Sequence, residues 1–155
     1  MQTLLTAIVT WLSINAGLPA TNDLPRIEFV SPVEMYVVRV GAHAPGTPPA
    51  VMATSGREVR DSAMHSIEAL YDDTKRTIYL PKGWTGTTPE EISVLVHEMV
   101  HHLQNVGSLQ YECPQAREKP AYQAQDKWLQ RVGRNIFDEF KLDPMTVLVR
   151  TTCMH

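Results

Sequence analysis

The chain has 155 residues, 43% of them hydrophobic, which is enough for one sizeable core and too few for two comfortable ones, so a single domain over residues 1–155 is expected. A formal net charge of -3, with lysines and arginines scattered rather than clustered, gives no basic field for nucleic acid. No stretch approaches the roughly 20 consecutive apolar residues that a membrane-spanning helix needs.

At the N-terminus Leu4 to Ile14, LLTAIVTWLSI, has the length of a signal-peptide apolar region, and Leu18-Pro19-Ala20 has the look of a cleavage site. No Lys or Arg precedes it, which favours a buried first helix ending at Asn15 to Gly17. Pro19 to Pro25 reads as a linker. Arg26 to Val30 alternates polar and apolar residues as a strand does, and Met35 to Val40, MYVVRV, reads as a second extended or mixed segment. Gly41 to Pro49, with three prolines and two glycines, is expected to be a surface loop, and His43 within it a solvated side chain rather than a ligand.

Residues 66–71, SIEALY, and 76–80, RTIYL, are rich in β-branched and aromatic residues and flank the polar turn Asp72 to Lys75, the pattern of a β-hairpin. A strand ending there, just before the next helix, is placed to form the edge of a cleft to which an extended peptide adds by main-chain hydrogen bonds.

The next helix is delimited by its own chemistry. Thr88 is an N-cap, Pro89 fits the first helical position, Glu91 completes a capping box, and Glu90 and Glu91 face the positive end of the helix dipole. Gly107 supplies the stop. Between these ends Ile92, Leu95, Val96, Met99, Val100 and Leu103 recur at helical spacing, so most of the helix is buried. The remaining face carries His97, Glu98 and His101, an H-E-x-x-H motif. Histidines four apart lie one turn above each other and can direct two imidazole nitrogens at one metal ion, and Glu98 stands one step round, where a general base belongs. A buried His-Glu-His stripe without a metal would leave polar groups in need of partners.

Val106 to Pro114 reads as a loop, and Gln115 to Val132 as a helix stopped by Gly133, starting near Arg117 or bent at its beginning because of Pro120. A short helical piece follows around Ile136 to Phe140, then a fresh start at Asp143-Pro144 and a final helix or strand over Met145 to Val149. Cys113 and Cys153 lack C-x-x-C spacing, so neither is half of a zinc site; they are two buried thiols or a disulfide tying the tail to the start of the post-motif helix. A structural first helix at residues 1–16 points to the cytoplasm, and a disulfide to the periplasm or secretion.

Catalytic zinc takes three protein ligands and leaves a fourth position for water. A third histidine in the longer H-E-x-x-H-x-x-G-x-x-H pattern is excluded, because Gln104 and Gly107 stand where that pattern needs Gly and His. Glu112, Glu118, Asp126 and His155 are the downstream candidates. Glu118 is best placed, at the start of a second helix that would pack against the first, with Tyr122 and Gln125 on its face.

HEMVHH followed by REKPAY resembles the gluzincin branch of the zincin metallopeptidases. More closely, TIYLP, SVLVHEMVHHLQ, YECPQARE and AYQAQDKWL are similar to small bacterial proteins of the DUF6647 type. The resemblance implies an α+β, zincin-like fold with an N-terminal helix, a short sheet or hairpin, the H-E-x-x-H helix and a following helix with the third ligand. It implies a zinc metallopeptidase acting on peptides or proteins, with zinc on His97, His101 and Glu118 and Glu98 as general base towards a metal-bound water. Tyr122, His102 and Tyr79 are candidate oxyanion donors, and His102 equally a residue that orients a ligand. Two other readings stand beside this one. One is a non-catalytic zinc module closed by a fourth ligand such as His155 or Glu112, and the other a metal-free helical domain that binds a partner.

Overall fold

The computed structural model describes residues 1–43 and 69–153. It is a small α+β protein, with six helices and a three-stranded sheet among the described residues. The chain divides into two compact units, one formed by Met1–Pro25 with Thr85–His155 and the other by Arg26–Trp84.

The first unit is helical. Helix α1 (Gln2–Ala16) buries Leu5, Ile8, Val9 and Leu12, three to four residues apart as one helical face requires, and ends at Gly17 in the left-handed conformation, φ 65°. The expected first helix is therefore present. Trp11 meets Trp128 edge to face at 4.9 Å, and the Arg131 guanidinium lies 4.4 Å above the Trp128 ring.

Helix α3 (Pro89–Val106) has the expected start: Thr88 Oγ1 accepts from Glu91 N, and the Glu91 carboxylate accepts in return from Thr88 N. Burial pushes the Glu91 carboxyl up, but donors from Thr85, Thr87 and Thr88 prevail and hold it down at about 2. The core side of α3 is Leu95, Val96, Met99, Val100 and Leu103, all fully buried. Its end differs in mechanism from the expectation. Gly107 has ordinary helical φ, -76°, and Ser108 takes the left-handed turn at φ 51°. Glycine is needed at 107 for close approach, since a Cβ there would lie 2.7 Å from Pro19 Cγ and 3.0 Å from the Leu103 carbonyl oxygen.

Helix α4 (Pro114–Gln130) packs along α3. It starts at Pro114, not near Arg117, so Pro120 lies within it and removes the donor that the Ala116 carbonyl would receive. The one-turn α5 (Ile136–Glu139) is capped by Asn135, and α6 (Pro144–Thr151) by Asp143, which settles the final segment as a helix. No residue of α6 is buried. The Cys113–Cys153 disulfide ties the tail to the N-cap of α4. A structural first helix and a disulfide, which the sequence linked to different compartments, thus occur together. No helix among the described residues is long and apolar enough to cross a membrane.

The second unit is a sheet with one described helix. Its strands are β1 (Arg26–Val30), β2 (Leu70–Asp72) and β3 (Thr77–Pro81), in the order β1-β3-β2. The hairpin is present: β2 pairs antiparallel with β3, and the Asp72 carboxylate accepts from the backbone of Thr74 and Lys75 to shape the turn. Its first strand is shorter than expected, and residues 66–68 lie outside the described residues. β1 pairs with β3 in parallel, Arg26 opposite Thr77 through Val30 opposite Pro81. That pairing corrects the expectation of a peptide-binding edge at RTIYL, because β3 is the middle strand and Thr77 to Tyr79 have neighbours on both sides.

The segment expected to be extended, Met35 to Val40, is instead part of α2 (Pro32–His43). Ser31 and Glu34 cap it reciprocally, Ser31 N donating to Glu34 Oε2 at 2.7 Å and Glu34 N to Ser31 Oγ at 3.3 Å. Met35 is buried against Val30 and Tyr79. The helix also runs through Gly41 to His43, where a loop was expected; the rest of that loop lies outside the described residues.

Candidate metal centre

On α3 the face opposite the aliphatic core presents His97 and His101 one turn apart, with ring centroids 5.1 Å from each other. Glu118 reaches them from the second turn of α4. Its Oε2 is 3.2 Å from His97 Nε2 and its Oε1 3.3 Å from His101 Nε2. One ligand atom from each of the three residues lies within 4.8 Å of the others, a group able to hold a metal ion. The Glu112 and Asp126 alternatives take no part. Glu112 is exposed outside this group, and Asp126 accepts from Ile136 N and Gln130 Nε2. His155 lies outside the described residues.

The donor chemistry fits a cation. Each imidazole is bracketed by oxygens, Glu118 at Nε2 and an amide oxygen at Nδ1: Gln125 Oε1 at 3.0 Å from His97 and Gln104 Oε1 at 3.0 Å from His101. A neutral imidazole has one N–H and can serve only one of two acceptors, so a cation at Nε2 answers the second. Electrostatics point the same way. Burial pushes the Glu118 carboxyl up, but its bonds to His101 and His97 prevail and hold it well below the usual carboxylate range. Burial likewise pushes His101 down, yet Glu118 and Glu98 keep it above its ordinary value. The pocket is thus built to favour positive charge beside an ionised carboxylate.

Glu98 is buried, 8% exposed, and among the described residues its carboxyl has no hydrogen-bond partner. Tyr122 packs its ring edge-on against His97 at 4.8 Å, and its hydroxyl accepts from Arg150 at 3.0 Å, which leaves the hydroxyl proton to donate. His102 points elsewhere: fully buried, it gives Nε2–H to the Asp23 carbonyl at 2.6 Å and secures the segment after α1. Tyr79 belongs to the sheet unit, where Lys75 Nζ lies 3.4 Å from its hydroxyl.

In the sequence Gln125 falls on the Glu118 face with no role attached, and Gln104 stands out only as a departure from the longer zinc pattern. Ser93, Arg117 and Arg150 were not singled out. The available signal was position, since Gln104 stands three residues after His101 and Ser93 four before His97, on a helix whose other flanks are aliphatic.

A family described as "Domain of unknown function (DUF6647)" matches residues 1–155. No curated protein and no solved structure matches the chain.

Proposed function

Because the chain belongs to the DUF6647 family, whose description assigns no activity, the functional reading rests on the site, and we propose that the protein is a zinc-dependent metallopeptidase. The observation that carries this reading is the convergence of His97, His101 and Glu118 from two helices, within 4.8 Å, beside the buried carboxylate of Glu98. Two imidazoles and one carboxylate are the ligand set of one well-known class of catalytic zinc sites.

Zinc bound there supplies a Lewis acid that polarises a carbonyl and acidifies water. The chain's own residues do the rest. Glu98 Oε takes a proton from the attacking water and returns it to the leaving amine, and its carboxyl, without a hydrogen bond among the described residues, is available for that exchange. Tyr122 donates a hydrogen bond from its hydroxyl to the developing oxyanion, with Arg150 occupying the acceptor side of the same oxygen. Glu118 and the two histidines are held by packed helices, so little reorganisation is required of them.

Zinc content and cleavage of a fluorogenic peptide library, measured on the same preparations, test the reading. Glu98→Gln keeps zinc and loses about 10²–10⁴-fold in turnover, the usual contribution of a positioned proton-transfer group. His101→Ala loses both. Full turnover in Glu98→Gln would exclude the residue as base, and a wild-type protein that holds zinc but cleaves nothing in the library would favour a non-catalytic zinc module.

A further inference from the structure

We infer that Gln104 and Gln125 are positioning residues that hold His101 and His97 as their Nδ1–H tautomers and thereby set the affinity of the site for a divalent cation; this rests on the metal-site reading above. The tautomer of each ring follows from which way the carboxamide beside it faces. Gln104 Nε2 donates to the Arg117 carbonyl at 2.9 Å, while Gln104 Oε1 accepts from Arg117 Nε at 3.3 Å. Turning the amide over would set donor against donor and acceptor against acceptor. Its oxygen therefore faces His101 Nδ1, and that contact is a hydrogen bond only when Nδ1 carries the proton. Nε2 is left with its lone pair on the Glu118 side.

A second, independent relay fixes Gln125. Ser93 Oγ gives its only proton to the Glu90 carbonyl at 2.8 Å, so towards Gln125 it acts as acceptor, 3.4 Å from Nε2. The Gln125 oxygen then faces His97 Nδ1 at 3.0 Å, with the same consequence for that ring. Ser93, Gln104 and Gln125 are all buried, at 0%, 2% and 6% exposure, so solvent does not stand in for any of them.

Gln104 also reaches the residue that precedes the third ligand. Its two bonds to Arg117 grip the residue immediately before Glu118, next to the Ala116 carbonyl that Pro120 leaves without a helical donor. One side chain on α3 thus orients a ligand on its own helix and the backbone beside the ligand on α4. Both orienting groups are neutral amides. They fix ring orientation without adding negative charge, so among the described residues the charge of a bound dication is offset by Glu118, with Glu98 nearby, and not by the orienting groups.

Zinc affinity, measured by competition with a chromophoric chelator on purified protein, tests the inference without any substrate. Gln125→Leu and Gln104→Leu should each weaken binding by about 10–100-fold, the usual effect of removing a group that orients a ligand. Gln125→Glu, which keeps an acceptor oxygen for His97 Nδ1, should restore most of the loss. In the zinc-loaded wild type, ring ¹⁵N shifts should show ligation through Nε2 and a proton on Nδ1 for both histidines. Wild-type affinity in Gln125→Leu, or ligation through Nδ1, would overturn the inference. A wild-type protein that takes up no zinc would overturn the metal-site reading itself, a distinct result. Thermal melts of the metal-free variants separate lost orientation from lost fold, and if Gln104→Leu fails to fold, the Gln125 pair decides the matter.

Discussion

Among the described residues, six of the seven buried polar or charged side chains lie on α3 and α4, namely Ser93, Glu98, His101, His102, Gln104 and Gln125, while the sheet unit buries one, Thr77. Thr77 answers a local need, its hydroxyl donating to the Lys75 carbonyl within the turn. The helical pair does something different. Ser93, Gln104 and Gln125 form linked bonds that converge on the imidazoles of His97 and His101, while His102 secures the N-terminal segment and Glu98 stands beside the site. Burying polar groups costs stability unless each is satisfied, so a fold concentrates them where chemistry requires it. The described interior of one unit is thus almost wholly apolar, and that of the other carries the polar groups around the candidate metal centre.

This contrast can be broken most directly at Glu118, the proposed third ligand. Glu118→Ala should abolish zinc retention after dialysis, as read by atomic absorption, while the metal-free protein keeps its helical circular dichroism. Retained zinc would mean that the convergence of α3 and α4 is not what holds the ion. A large stability effect is expected from the cross-link. Removing it as Cys113→Ser with Cys153→Ser frees a 40-residue separation in the unfolded chain and should lower unfolding free energy by about 4 kcal/mol in denaturant titration.

Within the sheet unit, Ile78→Ala removes a fully buried side chain and should cost about 3 kcal/mol, with zinc stoichiometry unchanged. A loss of zinc there would erase the division of labour between the units. The smallest effect is expected at the α3 cap. Glu91→Gln should cost about 1 kcal/mol at neutral pH. The Glu91 carboxyl is held at about 2 against an ordinary 4.5, so its contribution is full above 4.5 and is lost as the pH falls through 2. The substitution should accordingly flatten the stability profile between those values and leave it parallel above them.

The sequence made α3 legible because every signal agreed. Cap, first-turn proline, acidic first turn and apolar spacing all marked the same boundaries, and Glu118 followed from the need for a third ligand one helix later. Segment α2 shows how agreement fails. Ser31-Pro32-x-Glu34 repeats the Thr88-Pro89-x-Glu91 start, yet the valines at 37, 38 and 40 read as strand. Capping and the burial of Met35 against the sheet outweighed that propensity. The parallel pairing of β1 with β3 joins segments about fifty residues apart and has no local signature. The orienting glutamines were hidden for another reason. An isolated Gln on a helix carries no chemistry of its own, and its role is defined only by what a neighbouring helix brings opposite it.

The bridge between Cys113 and Cys153 has one more consequence, for the fate of a damaged molecule. It joins the residue that opens α4 to the residue just beyond α6. A proteolytic nick anywhere between them would leave both fragments covalently attached, migrating together until a reductant is added. The segment bearing Glu118 and Tyr122 would stay tethered to the tail that brings Arg150 to it.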